Sequence, residues 1–285
     1  MIKKPTVYAV VTCYNQGNVI AETLDSLLQQ SYRHLSILVV DDGSTDPATL
    51  ACLDRYQHHH ARSIQVIHKP NGHVSSARNL GIRMSDSEYV FISDGDDIYD
   101  RTLIEKLVAV LDQDPHVGIA SSWIQTFGLA EWMVKPSGGS VSDFLHKNNC
   151  PGQALVRKQC WLDASGYDET MKQGYEDWDF YLAVTEQGWR IAIVPEPLIQ
   201  YRVADVSLNL TGYQQRLQLI ATIIRKHETT YHQYLVDVLL DKERALQEKN
   251  LQLYDLVLTP DDIPDVSFGD GGMAFAVQLM TKFRH

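Results

Sequence analysis

Tyr89-Val90-Phe91-Ile92-Ser93-Asp94-Gly95-Asp96-Asp97 decides how the chain reads. Tyr, Val, Phe and Ile favour a buried strand. The run ends abruptly in Asp94, Asp96 and Asp97, three carboxylates within four positions. Gly95 allows the backbone a sharp turn and lets a ligand come close. Three such charges repel one another unless a cation joins them, and hard oxygen ligands suit Mg2+ or Mn2+, ions commonly shared with substrate phosphates.

Working outward, the same pattern of apolar run, polar loop and amphipathic helix repeats. Thr6–Val11 reads as a strand, followed by the loop Thr12-Cys13-Tyr14-Asn15 and a helix with Ile20, Leu24, Leu27 and Leu28 on one face. Leu35–Val40 reads as a second strand ending in Asp41-Asp42-Gly43-Ser44-Thr45-Asp46, and Ser63–Ile67 as a short third, leading through Asn71-Gly72-His73 into a helix to Met84. A helix from about Thr102 to Gln113 follows the acidic loop. Alternation at this spacing predicts an α/β fold with a mostly parallel sheet flanked by helices. In such sheets ligands bind outside the carboxyl ends of the strands. The loops Thr12–Asn15, Asp41–Asp46 and Asp94–Asp97 all lie at carboxyl ends, so they are expected around one crevice.

Composition narrows the function. The 285 residues carry 25 Lys and Arg against 36 Asp and Glu, a net charge of −11, which argues against a nucleic-acid surface. Hydrophobic residues are 44% and charged residues 21%, ordinary for a globular protein with a sizeable core. Four cysteines without metal-type spacing predict reduced thiols and a cytoplasmic setting, with peripheral membrane contact left open. Neither Gly-x-Gly-x-x-Gly nor Gly-x-x-x-x-Gly-Lys-Ser/Thr follows the first strand, which counts against a dehydrogenase and a P-loop NTPase. His58-His59-His60 reads as an exposed helix end.

In the second half, Val117–Ala120 reads as a strand, Trp132–Asp143 as a flexible loop, and Cys150–Arg157 as a strand leading into a helix. Gly174-Tyr175-Glu176-Asp177-Trp178-Asp179 opens a helix that ends near Gly188, and Ile191–Val194 forms a last strand stopped by Pro195 and Pro197. All five tryptophans fall in this half; Trp178, beside a carboxylate pair, is the candidate for a substrate wall. From Leu208 the texture changes. Leu217, Ile220, Ala221 and Ile224 mark an amphipathic helix, and Leu239, Leu246 and Leu253 recur every seven residues in a charged one. The expected organisation is a catalytic domain over residues 1–205, with a nucleotide-binding half (1–115) and an acceptor half (116–205), then a C-terminal helical extension over 206–285 that docks on the core or on a second copy.

Five motifs carry a family resemblance: Thr12-Cys13-Tyr14-Asn15, Val39-Val40-Asp41-Asp42-Gly43-Ser44-Thr45-Asp46, Asn71-Gly72-His73-Val74-Ser75-Ser76-Ala77-Arg78-Asn79, Asp94-Gly95-Asp96-Asp97 and Gly174-Tyr175-Glu176-Asp177-Trp178-Asp179. In this order, over about residues 5–203, the chain resembles the family 2 inverting glycosyltransferases of GT-A fold. The resemblance implies a nucleotide-sugar donor, a UDP-sugar first among them, with Mn2+ or Mg2+, and a glycan, lipid-linked or other hydroxyl acceptor in polysaccharide or glycan assembly. Thr12, Tyr14 and Asn15 would line the base and ribose pocket, Asp42 would accept from the base, and Asn71, Gly95 and Trp178 would complete the donor site. Arg78 would lie near the phosphates, Asp94 and Asp96 would hold ribose and metal, and Asp177 would be the catalytic base with Glu176 beside it.

The chemistry suits those residue types. A nucleoside diphosphate leaves with developing negative charge that a divalent ion neutralises. The acceptor hydroxyl loses its proton to a carboxylate, typically worth ~10²–10⁴ in rate. One departure stands out: after Tyr201-Arg202-Val203, where many relatives carry a metal-binding histidine one residue on, this chain has Ala204, with Asp205 or water as the substitute. That departure motivates the alternative of a non-catalytic nucleotide-sugar-binding or assembly subunit. A nucleotidyltransferase ranks last, because Thr12–Asn18 holds no Arg or Lys to receive a triphosphate.

Overall fold

The computed structural model describes residues 6–203 and 215–257, with side chains to residue 249. Ala204, Asp205 and the tail from residue 258 lie outside the described residues. The chain forms two compact units, Met1–Tyr234 and Leu235–His285.

The first unit opens as the alternation predicts: β1 (Val7–Cys13), α1 (Ile20–Leu28), β2 (Leu35–Asp41), α2 (Pro47–His59), β3 (Ile64–His68), α3 (His73–Met84) and β4 (Tyr89–Asp94). After β5 (Ile98–Tyr99) and α4 (Leu103–Gln113) come β6 (Val117–Gly128), β7 (Met133–Val134), α5 (Val141–Phe144), β8 (Ala154–Arg157), α6 (Lys158–Asp163), α7 (Glu176–Glu186) and β9 (Arg190–Val203). Two helices close the unit, α8 (Arg216–Lys226) and α9 (Glu228–Gln233). The strands form one sheet in the order β3-β2-β1-β4-β8-β6-β9-β5, with β7 on β6. The β3-β2-β1-β4 half is wholly parallel. The other half is mixed: β8 runs antiparallel to both β4 and β6, whereas β6 and β9 are parallel.

The register fixes where the loops emerge. Thr12 lies opposite Val40 on one side and Asp94 on the other, and Cys13 lies opposite Asp41. The polar ends of β2, β1 and β4 therefore stand side by side, at strand spacings of roughly 4.8 Å. Beneath them the core is apolar: Val7, Ala9, Val11, Val39 and Phe91 of the sheet pack with Leu24, Leu27, Leu103 and Leu107 of the helices. Asp46 caps α2, its carboxylate accepting from the N–H groups of Ala48 and Thr49, with Pro47 at the first helical position.

Three sequence expectations need correction. Pro195 and Pro197 do not stop the last strand: β9 continues to Val203, and its register against β6 slips at Trp123, where Pro197 faces Trp123 and Ile199 faces Ile124. A bulge is where a strand tolerates residues without an N–H. The stretch Trp132–Asp143 is structured: Met133 and Val134 pair with β6, Gly139 bridges Ile191, and the Asn149 amide holds Ser137 and Gly138. The face of α8 is also not the one its most apolar residues suggest. Leu217 is 83% exposed and Ile224 40%, while Leu219, Ile223, His227 and Tyr231 form the buried stripe.

That stripe places α8 and α9 inside the first unit, though the sequence put a separate extension from residue 206. Tyr231 donates to the Leu145 carbonyl, Lys226 to Asp168 and Asp179 at 2.6 and 2.7 Å, and His227 bridges Asp179 at 3.1 Å and Glu186 at 2.8 Å. The second unit is described by one helix, α10 (Leu235–Val257), with Leu239 and Leu246 exposed and Arg244 paired to Asp241 one turn back.

Burial opposes the charge on His227, but its bonds to Asp179 and Glu186 prevail and lift its pKa to about 9. A raised histidine contributes stability in full below its unfolded value near 6.5, and that contribution is lost as pH climbs through about 9. Urea unfolding should show wild type losing about 3 kcal/mol more than His227→Gln between pH 6.5 and 10. Parallel pH dependences for the two proteins would refute the assignment.

Candidate active site

The site is built on the carboxyl edge of the sheet and closed by two helices. Arg78, on α3, is 3% exposed and lies between two carboxylates: Nη2 donates to Asp94 Oδ1 and Nη1 to Glu176 Oε1, each at 2.9 Å. Asp94 ends β4 and also accepts from the Thr12 hydroxyl at 3.3 Å and from the Gln153 amide at 2.9 Å. The same amide reaches Asp97 at 2.6 Å, and Asp97, fully buried, takes the Arg202 N–H as well. Burial first, then the charges of Asp96 and Asp94, raise the Asp97 pKa.

Glu176 and Asp177 start α7, next to Tyr175, whose backbone is left-handed at φ 65°. Such a conformation is costly for a non-glycine residue and concentrates at functional sites. Asp177 Oδ2 accepts from Asn148 at 2.9 Å and Oδ1 from the Trp178 N–H at 2.8 Å. Burial, then the Glu176 charge, push the Asp177 pKa up to about 7 against the pull of Arg78.

Gly152 shows how these groups relate. A Cβ built on it would stand 3.5 Å from Arg78 Nη2, 3.8 Å from Asp177 Oδ2 and 4.0 Å from Asp94 Oδ2. Residues 78, 94 and 177 thus face one space, which only the absence of a side chain at position 152 keeps open.

The remaining sequence candidates divide. Asp42 sits at the end of β2, 3% exposed, bonded to Lys69 and the Gly72 N–H. Asn15 uses its amide oxygen on the Thr45 and Asp46 N–H groups, so it fixes the neighbouring loop. Tyr14 is half exposed and Asn71 is exposed beside these loops. Gly95 is packed: a Cβ there would fall 2.4 Å from the Gln16 side-chain oxygen and 2.9 Å from the Thr12 carbonyl. Trp178 departs from the expected substrate wall. It is 3% exposed and its indole N–H is spent on the Phe144 carbonyl, so it belongs to the core. Successive residues on a helix point about 100° apart, so Trp178 packs inward while Asp177 faces the space beside Gly152. Gln153, Asn148 and Gly152 were not singled out from sequence; the signal was the polar Gln153 set between Pro151-Gly152 and the apolar run Ala154–Val156.

Asp94 and Asp96 supply hard oxygen donors at one loop. Burial, then the Asp94 charge, raise Asp96 to about 6, the mark of a carboxylate short of positive charge. That donor set fits an oxygen-seeking divalent ion as part of a shell; among the described residues no group of three His, Cys, Asp or Glu closes one. Such a shell leaves positions for phosphate and water.

A parallel nucleotide-type half sheet, a mixed second half and an acidic cleft between them define a GT-A type transferase fold. The chain belongs to glycosyl transferase family 2: that family's model matches residues 8–165. An uncharacterized glycosyltransferase of Rickettsia prowazekii (strain Madrid E) is 32% identical over 279 residues, 88% of this chain and 84% of that protein. The fold is shared with S. aureus TarS 1-349, solved in complex with UDP-GlcNAc (TM-score 0.64, 20% identity, 77% of this chain and 66% of that one). It is shared equally with the mannosyltransferase PcManGT from Pyrobaculum calidifontis, in complex with GDP-Man and Mn2+ (TM-score 0.63, 21% identity, 79% and 65%). Among the described residues no helix is long and apolar enough to cross a membrane.

Gly152→Ala adds one methyl at ordinary contact distance from its neighbours, so the melting temperature should stay within about 2 °C. The same methyl occupies the shared space, and glycosyl transfer should fall at least ~10-fold. Unimpaired transfer by the folded variant would mean that the reacting groups meet elsewhere.

Proposed function

We propose that the protein is an inverting glycosyltransferase that moves a sugar from a nucleoside-diphosphate sugar, a UDP-sugar, to an acceptor hydroxyl in polysaccharide or glycan assembly. The carrying observation is that Asp94, Arg78 and Asp177 all face the space beside Gly152. A donor bound along β1, β2 and β4 brings its diphosphate to Asp94 and its anomeric carbon toward Asp177. The complexes of TarS with UDP-GlcNAc and of PcManGT with GDP-Man support a nucleotide-sugar donor on this fold.

In this reading Thr12, Tyr14, Asn15, Asp42 and Asn71 surround the nucleoside, and Arg78 offsets the charge crowded between donor and base. Mn2+ or Mg2+, held by Asp94 and Asp96, would supply neutralisation of the charge that develops on the leaving diphosphate. Asp177 takes the proton of the acceptor hydroxyl as it attacks from the face opposite the leaving group, and the new bond inverts the anomeric centre. Asn148 fixes one oxygen of that base and the Trp178 N–H the other, so the carboxylate is oriented before the acceptor arrives. Glu176, tied to Arg78, is the fixed negative neighbour that keeps Asp177 basic enough to accept a proton. The nucleotide side falls within residues 1–115 and the acceptor side within 116–205. The exposed Leu239 and Leu246 of α10 offer a seam for a second copy.

Asp177→Asn should retain nucleotide binding and lose transfer by at least ~10²; full activity would remove the base assignment. The base must be ionised, so kcat/KM should rise with pH up to about 7 and level off above it. Glu176→Gln removes the like charge and should move that limb to lower pH. A limb that stays in place would show that Glu176 does not set it.

A further inference from the structure

Residues 148–153 link the two sides of the cleft. At one end Asn148 bonds Asp177; at the other Gln153 bonds Asp94. The proposed reaction gives Gln153 no role, yet it is 2% exposed and firmly held. Its carbonyl accepts the Ser121 hydroxyl at 2.6 Å, and the buried Tyr181 hydroxyl fastens the Pro151 carbonyl two residues earlier. The side-chain amide gives one hydrogen to Asp94 Oδ2 at 2.9 Å and the other to Asp97 Oδ2 at 2.6 Å. Both N–H groups are therefore spent. Turned over, the amide would set its oxygen against two carboxylates. Asp97 is the far anchor. It is fully buried, and its other oxygen takes the Arg202 N–H at 3.0 Å. Arg202 also donates through Nε to the Asp96 carbonyl at 3.0 Å, so β9 holds the acidic loop at two points.

Asp94 is thus held at both oxygens. Oδ1 accepts from Arg78 at 2.9 Å and from Thr12 at 3.3 Å, and Oδ2 accepts, among the described residues, from Gln153 alone. Oδ2 is also the oxygen 4.0 Å from a Cβ built on Gly152, so it is the one that faces the shared space. The last torsion of an aspartate is broad when free; bonds at both oxygens fix it. The kind of group at position 153 matters as well. An ammonium there would orient Asp94 and cancel its charge. An amide orients through its N–H groups and leaves the charge in place for a cation.

We propose that Gln153 is a positioning residue: braced by Asp97, its amide aims Asp94 Oδ2 at the space beside Gly152 without neutralising it, so that this oxygen meets the divalent cation of the donor diphosphate. The inference rests on the nucleotide-sugar reading above and adds to it a residue that acts through Asp94.

The test is a titration of the full chain with Mn2+, read by the paramagnetic resonance of the free ion, in the presence of UDP or GDP, whichever wild type binds. Calorimetry of the same nucleotide in EDTA runs beside it. Gln153→Met keeps the length and the charge and removes both donors. Its Mn2+ affinity should fall at least ~10-fold, while its nucleotide affinity without metal stays within about 3-fold. A folded Gln153→Met with wild-type Mn2+ affinity overturns the proposal and leaves the donor reading standing. A fall by the same factor in both titrations also overturns it, because the residue would then only hold the pocket together. Should that variant not fold, Gln153→Asn decides by the same two titrations: it withdraws the amide by about 1.5 Å, out of hydrogen-bond reach of both carboxylates. Wild type that binds nucleotide but no Mn2+ overturns the proposal alone. Wild type that binds neither nucleotide takes down the donor reading and this inference together.

Discussion

Everything at the cleft depends on one buried guanidinium. Arg78 reaches from α3 to the end of β4 and to the start of α7, joining elements 16 and 98 residues away in sequence. Burial works against its charge, and the carboxylates of Asp94 and Glu176 more than compensate, holding its pKa above the ordinary arginine value. Without that cation the two carboxylates would face each other unpaired, with Asp177 a third. Breaking such a pair from one side costs about 3–5 kcal/mol, because a buried charge is left alone. The guanidinium therefore acts as a spacer: it sets how far Asp94 stands from Glu176.

The distribution of charge around that spacer explains why neighbouring acids have different character. Asp94 and Glu176 each hold a nitrogen of Arg78 directly. Asp96 and Asp177 stand next to them without a cation of their own, and burial and the adjacent charge raise both. In the proposed reaction Asp96 would gain positive charge from a divalent ion and Asp177 from the proton of the acceptor. Sequence adjacency, Asp94 with Asp96 and Glu176 with Asp177, thus sets an acid paired to Arg78 beside one that is not, on each side of the cleft.

Much of this was legible from the sequence because it rests on local periodicity and on one topological rule. Strands β1 to β4 and their helices follow from apolar runs and amphipathic spacing, and a parallel sheet must gather its carboxyl-end loops. What stayed hidden depends on long-range pairing. Pro195 and Pro197 read as a stop because the partner that permits a bulge, Trp123 on β6, is over 70 residues away. Trp178 read as a wall because its indole partner, the Phe144 carbonyl, lies on a segment with no strong pattern. Gln153 carried no motif at all, yet its single amide joins Asp94 to Asp97.

The same reasoning places α8 and α9 in the machinery and not outside it. In the proposed reaction helix α7 presents Asp177, and Arg78 grips only the first turn of that helix through Glu176. Further along, Asp179 is 3% exposed and accepts from both Lys226 and His227, while Glu186 in the last turn accepts from His227 and Thr230. These contacts restrain α7 along most of its length, and they come from residues whose apolar stripe, Leu219, Ile223 and Tyr231, is buried with them. Lys226 and His227 there face three carboxylates, Asp168, Asp179 and Glu186. The segment after the sheet is thereby tied to the helix that carries Asp177, which is why the compact unit runs to Tyr234 and does not end with β9.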